Sequence, residues 1–163
     1  MNFDAIVEIP KGSRVKYEWD DKSQRFRINR VLPNSLAYPI NYSYANQTIA
    51  PDFDPLVILI PSTDALEQGC IVEVRPLGVL YMIDGGEEDH KIFAVPTFDT
   101  YWKHIHNIRR VPQDLLIEIK HFFKIYKQLG GKKVKVKHWG DKEDAIKLLK
   151  KSMKKYRKEN GTV

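Results

Sequence analysis

Two acids one residue apart, in the run Asp52-Phe53-Asp54-Pro55, are the first residues here whose spacing could do chemistry. On an extended segment, side chains at i and i+2 lie on the same side. Carboxylates that close repel each other unless a cation screens them, and hard oxygen donors suit Mg²⁺ or Mn²⁺. The same residues also read as a polar turn with both carboxylates in water. A second acidic run, Asp84-Gly85-Gly86-Glu87-Glu88-Asp89, contains two glycines that permit a tight reversal and could carry Asp84 and Asp89 toward one point. Its spacing is not that of an EF-hand loop, and standing alone it also reads as a solvated hairpin tip.

Lys16, Arg30, Tyr38, Tyr42, Lys91, Tyr126 and Lys127 are spread along the chain, and each taken singly is a surface residue. Gathered with the acids around one cavity, they would suit a metal-bound phosphate ester or anhydride. His104 and His106 flank one residue but lack an HExxH context or a cysteine partner, so they read as structural or surface groups. Cys70 is the single cysteine, which excludes an intrachain disulfide and a Cys-rich zinc site and makes a reducing cytosol the default expectation.

These residues need elements to position them. A chain of 163 residues with 42% apolar and 29% charged residues predicts one globular domain over 1–163 rather than a disordered chain. No apolar run is long enough to span a membrane, and the start, MNFDAIVEIPKGS, does not read as a secretory signal. Alternation and turn residues predict strands at 5–9, 15–19, 26–32, 57–60, 71–74, 77–83 and 91–95, with 15–19 and 26–32 paired. The segment 36–49 mixes tyrosine with turn residues and has no helical period. Many short strands at close intervals predict a barrel or sandwich. The period then changes. Pro112 suits a helix start, an apolar face recurs from Leu115 to Leu129, and Gly130-Gly131 ends it. Residues 132–139 alternate like an edge strand guarded by lysines.

The charge is equally local. Residues 142–158 hold eight Lys or Arg and two acids, while the other 146 residues carry 19 of each sign. This segment could bind nucleic acid or an anionic membrane. The helical spacing of Ile146, Leu149, Met153 and Tyr156 favours a helix packed on the body with its lysines in water. The sum is one α+β domain, a β-barrel with two helices outside it.

In order and spacing, the segments VEIPKGSRVKYEWD, RINRVL, AYPINYSY, DFDPLVILIP, RPLGVLYMIDGGEEDHKIFAVP and HFFKIYKQL resemble the Mg²⁺-dependent, barrel-type soluble inorganic pyrophosphatases. The resemblance covers nearly the whole chain. It implies a closed five-stranded OB-like barrel with additional hairpins, hydrolysis of pyrophosphate to two phosphates in the cytoplasm, Mg²⁺ (with Mn²⁺ as a substitute), and a homohexamer. It also implies roles. Asp52, Asp84 and Asp89 would be metal carboxylates and Asp54 the general base. Glu8 and Glu18 would form an outer acidic shell. Lys16, Arg30, Lys91 and Lys127 would pair with phosphate oxygens, Tyr42 and Tyr126 would donate to them, and Tyr38 would line the cavity.

The sequence also departs from that pattern. The signature D-x-D-P-x-D here ends on Val57, so a carboxylate expected to bridge two ions is missing. Phe53 stands where a small or polar residue is usual, Ser43 where NYGY has glycine, Asn29 where an acid precedes the arginine, and Gly85 where an acid often follows the first aspartate of that loop. Metal-dependent pyrophosphate hydrolysis stays the leading expectation, with three outcomes open: turnover that is slower or needs more metal, a gap filled by another acid such as Glu8 or Glu88 or by a water, or binding without turnover. The rival expectations are a phosphate-ligand binder of the same fold and, less favoured, a nucleic-acid-binding barrel.

Overall fold

The computed structural model describes residues 1–33 and 35–161. Strand β1 (Phe3–Ile9) sets the pattern: Phe3, Ala5, Val7 and Ile9 are buried while the residues between them are partly or fully exposed. It pairs antiparallel with β4 (Asn41–Ala45), through Ala5 opposite Ala45, and with β6 (Ile71–Asp84), through Phe3 opposite Val74. Strand β4 pairs antiparallel with β5 (Val57–Ile60), β5 pairs parallel with β8 (Lys91–Pro96), and β8 returns antiparallel to β6. The five strands β1-β4-β5-β8-β6 thus form a closed ring, with β7 (Glu87–Glu88) and β9 (Val134–Gly140) added to β6. A separate hairpin is made of β2 (Val15–Asp20) and β3 (Arg25–Val31).

All six residues of β8 are buried because both faces of the ring are covered. Leu59 and Phe93 belong to an apolar cluster with Ile119, Phe122 and Phe123 of helix α1 (Gln113–Ile125). Their strand neighbours Ile58 and Ile92 point the other way, into a cluster holding Ala145 and Leu149 of α2 (Lys142–Glu159). Helix α2 starts on a capping box, in which the Asp141 side chain accepts from Glu143 N–H and Asp144 N–H. The end of β9 approaches β6 closely because Gly78 has no side chain: a Cβ there would lie 2.7 Å from the Gly140 carbonyl oxygen.

Three expectations change. Residues 41–45 form a strand, since the ring's ladder overrides a composition of Asn, Tyr and Ser. The predicted strands 71–74 and 77–83 are one strand of 14 residues, bulged between Pro76 and Gly78. Helix α1 stops at Ile125, and the chain continues through a short 3₁₀ turn at Gln128–Gly130. Leu129 is therefore exposed rather than part of the apolar face. The early stop turns Lys127 toward the end of β6, where it pairs with Asp84.

Candidate active site

One cavity of about 510 Å³ gathers residues from five parts of the chain. Strands β1 and β2 supply Glu8, Lys16 and Glu18, and β4 supplies Tyr42. The loop before β5 brings Asp52 and Asp54. The end of β6 and the turn after it bring Asp84 and Asp89, and the residues just past α1 bring Tyr126 and Lys127. Tyr38 lines it too, edge-on to Tyr42 at 5.5 Å between ring centroids. Arg30 and Lys91 are not among the described residues that line the cavity; they stand beside it.

The basic groups fall into two kinds. Lys127 is paired with Asp84, Lys91 donates to Asp89 at 2.9 Å, and Lys16 lies 3.1 Å from Glu18. Lys91 is fully buried, with its ammonium 5.3 Å from the Tyr42 ring centroid and 5.1 Å from that of Phe123. Such a charge survives burial only because a carboxylate and two π faces surround it. Arg30 differs. Its guanidinium sits 5.8 Å from the Tyr126 ring centroid, and its Nε and one terminal nitrogen are buried without a partner. Buried orphan donors on a permanent cation are a standing demand for an anion.

The acids show the converse. Burial first, then repulsion from Asp89 and Asp54, raises the pKa of Asp52. Burial first, then repulsion from Glu18, raises that of Asp54. Glu8 is pushed up to about 7 by burial, with Glu18 and Asp54 adding to the rise and the Trp19 N–H opposing it. Burial also raises the hydroxyls of Tyr42 and Tyr126, keeping them protonated as donors. A divalent cation would reverse the repulsion among the acids, and Asp52, Asp54, Asp84 and Asp89 offer the hard oxygens it needs. Among the described residues, no trio of His, Cys, Asp or Glu is close enough to form a ready-made cation site, and two of the aspartates are engaged by Lys91 and Lys127. The donor chemistry of these carboxylates fits a hard divalent cation.

A profile of the family described as inorganic pyrophosphatase matches residues 5–157. The chain belongs to the inorganic pyrophosphatase family. It is 43% identical over 154 residues to the inorganic pyrophosphatase of Halalkalibacterium halodurans, covering 94% of each chain. It is 40% identical over 153 residues to that of Geobacillus stearothermophilus, covering 94% of this chain and 93% of the relative. The crystal structure of the inorganic pyrophosphatase from Thermus thermophilus superposes with a TM-score of 0.92 at 38% identity, over 96% of this chain and 91% of that one. That from Coxiella burnetii gives 0.90 at 38% identity over 95% of each. The OB-like α+β fold is the fold of these pyrophosphatases.

Within this pyrophosphatase fold the sequence departures separate. Val57 and Phe53 line the cavity. Ser43 does not: it alternates with Tyr42 and Tyr44 on β4, and its buried hydroxyl has no partner. Asn29 donates to Glu18 at 3.4 Å at the rim, and Gly85 occupies a left-handed turn position. Sequence reasoning missed Trp19, Asp21 and Tyr44 as lining residues. Tyr44 carried a signal, since it follows Tyr42 by two on a strand. The hairpin residues Trp19 and Asp21 carried none. His104, His106 and Cys70 are exposed and lie outside the cavity lining.

Proposed function

We propose that this chain hydrolyses inorganic pyrophosphate to two phosphates with the help of Mg²⁺ or Mn²⁺, and that turnover is reduced by Val57. The observation that carries the reading is Arg30: two buried guanidinium nitrogens lack an acceptor beside a cavity walled by aspartates, in a chain of the pyrophosphatase family. An anion with several oxygens satisfies those donors, and the carboxylates opposite accommodate its counter-cations.

The roles rest on the family pattern together with each residue's position around the cavity. Asp52, Asp84 and Asp89 hold cations, which when bound acidify a coordinated water and neutralise phosphate oxygens. Asp54 is the general base, and burial, with repulsion from Glu18, raises its pKa and so makes its carboxylate a stronger proton acceptor. Arg30, Lys16 and Lys127 pair with phosphate oxygens as charge builds on the leaving group. Lys91, held beneath Asp89, supplies positive potential from behind the wall. Tyr42 and Tyr126 donate hydrogen bonds to phosphate. Glu8 and Glu18 draw further cations to the rim. Val57 offers no oxygen where the family pattern has one, so the cations are held by fewer carboxylates.

The same valine favours a second reading, in which phosphorylated ligands bind and are barely turned over. Phosphate release from pyrophosphate over a wide Mg²⁺ and Mn²⁺ range, compared with Asp54→Asn, separates the two. Release by the parent alone supports hydrolysis. Equal inactivity with tight pyrophosphate binding by calorimetry supports the binder. Exposed Ile28, Val31 and Ile71 are apolar surface of the sort a homo-oligomer, a hexamer by family pattern, would cover. No helix among the described residues is long and apolar enough to cross a membrane.

A further inference from the structure

Between β4 and β5 the chain leaves the barrel as a loop and returns carrying Asp52 and Asp54. The base of this loop is closed by main-chain and side-chain bonds. Ala45 N–H donates to the Leu56 carbonyl at 2.9 Å, and the Thr48 hydroxyl donates to the Ala45 carbonyl at 2.7 Å while accepting from Leu56 N–H at 2.9 Å. The tip turns through Phe53, whose φ of 69° lies in the left-handed region that a bulky side chain disfavours. Phe53 is 73% exposed, which gives it little packing to hold that conformation.

Helix α2 reaches across to this tip. The Lys155 ammonium stands 3.9 Å from the centroid of the Phe53 ring, and the same nitrogen donates to the Ala50 carbonyl at 3.0 Å. The Ala50 carbonyl also accepts from Phe53 N–H at 3.1 Å. About one turn earlier on the helix, the Ser152 carbonyl accepts from Ile49 N–H at 3.1 Å. The loop is therefore gripped at residues 49, 50 and 53 by a helix that contributes nothing to the cavity lining.

We propose that Lys155 is a positioning residue: by stacking on Phe53 and binding the Ala50 carbonyl, it holds Phe53 left-handed and so fixes the directions of the Asp52 and Asp54 carboxylates. The inference rests on the reading of those two carboxylates as cation ligand and base. Released from the clamp, Phe53 relaxes toward the ordinary φ range. That rotates the peptides on either side of it, disturbs the bond in which Asp54 N–H donates to the Asp52 carboxylate at 3.2 Å, and redirects the two flanking carboxylates.

The test uses the full chain with three substitutions. Lys155→Met keeps the aliphatic stem and removes the charge and the donor. Lys155→Arg keeps a cation that can stack and donate. Phe53→Gly, combined with Lys155→Met, supplies a residue that adopts positive φ unaided. The readouts are the Mg²⁺ dissociation constant by calorimetry, kcat and KM for pyrophosphate, and amide hydrogen exchange across residues 50–56. Lys155→Met is expected to weaken Mg²⁺ roughly tenfold, the low end for loss of a ligand-orienting contact. It should lower kcat more than it raises KM and speed exchange at 50–56, with the far-ultraviolet spectrum unchanged. Lys155→Arg should restore all three, and the Phe53→Gly double variant should recover most of the Mg²⁺ affinity. Affinity within twofold of the parent with unchanged exchange in Lys155→Met, or failure of arginine to rescue an impaired methionine variant, overturns the proposal. A parent that binds Mg²⁺ in a Lys155-dependent manner but releases no phosphate overturns the hydrolytic reading and leaves the positioning role standing. Should the parent bind no Mg²⁺, hydrogen exchange alone decides: faster exchange at 50–56 supports the clamp and unchanged exchange removes it.

Discussion

Replacing Glu8 by glutamine is expected to stabilise the metal-free protein at alkaline pH and to leave it unchanged in acid. Glu8 is half-buried on β1, faces Glu18 and Asp54, and accepts the Trp19 N–H at 3.2 Å. Burial moves its carboxyl from 4.5 up to about 7. The folded state thus keeps the proton more tightly than the unfolded state, and stability falls as pH rises from the unfolded value to the folded one. Below that window both states are protonated and the group contributes nothing. Above it both are ionised and the cost is complete. At about 1.4 kcal/mol per pH unit across this interval, the ceiling is about 3 kcal/mol. Solvent reaching a half-buried side chain reduces this to about 1–2 kcal/mol. Glutamine has the same shape, keeps an acceptor for Trp19 N–H and never ionises. Urea unfolding in excess chelator at pH 4, 6 and 8.5 measures the difference between variant and parent, which should be near zero at pH 4 and grow in the variant's favour at pH 8.5. A difference that is flat with pH, or that favours the parent as pH rises, refutes the assignment of a buried, repelled carboxyl. Saturating Mg²⁺ should shrink the gap at pH 8.5, because a cation among the acids stabilises the ionised form.

Asp54→Asn is expected to lower kcat for pyrophosphate at least 100-fold, the usual scale for loss of a general base, with little change in melting temperature. In the parent, burial and Glu18 raise the Asp54 pKa and bound cations oppose that rise, so the acid limb of the pH–rate profile should move to lower pH as Mg²⁺ is raised, which profiles at low and high Mg²⁺ check. Val57→Asp should lower the Mg²⁺ midpoint of activity while destabilising the metal-free protein, since it adds one more carboxylate to a cavity wall that already holds several; an unmoved midpoint would mean the cations lie elsewhere. Lys91→Met should cost about 3 kcal/mol in urea unfolding of the metal-free protein, because it removes the buried cation that pairs with the Asp89 carboxylate.

Much of the scaffold was readable before any coordinates. The alternation of Phe3, Ala5, Val7 and Ile9, the hairpin of 15–31 and the period of Leu149 and Met153 each encode an element in their own residues. Strand β4 was not readable, because its membership in the ring is decided by partners at Ala5 and Leu59 and not by its own Asn-Tyr-Ser composition. The single long β6 was hidden for the same reason: Pro76 and Gly78 look like a break, yet β8 pairs on either side of them and carries the strand through a bulge. At the site, residue types were legible and convergence was not. Asp52 and Asp54 announce a motif by spacing, but nothing local to Lys127 predicts that the helix ends two residues before it so that it can meet Asp84. The loss of an oxygen at Val57 was visible in the linear pattern. The grip of Lys155 on Phe53 was not, since the two lie about a hundred residues apart.

The shared spine formed by β6 has a consequence for how the chain folds. Its first residues pair with β1, synthesised about seventy residues earlier, and its last residues pair with β9, made about fifty residues later. The seam between β1 and β6 therefore seals only after a long loop has been drawn shut, and the entropic toll of such distant contacts slows the barrier crossing relative to a helical protein of equal length. On the ribosome, a nascent chain ending before β9 would carry β6 with one border unpartnered. Rapid burial of that border by the lysine-studded strand that follows would then protect newly made chains from sticking to one another.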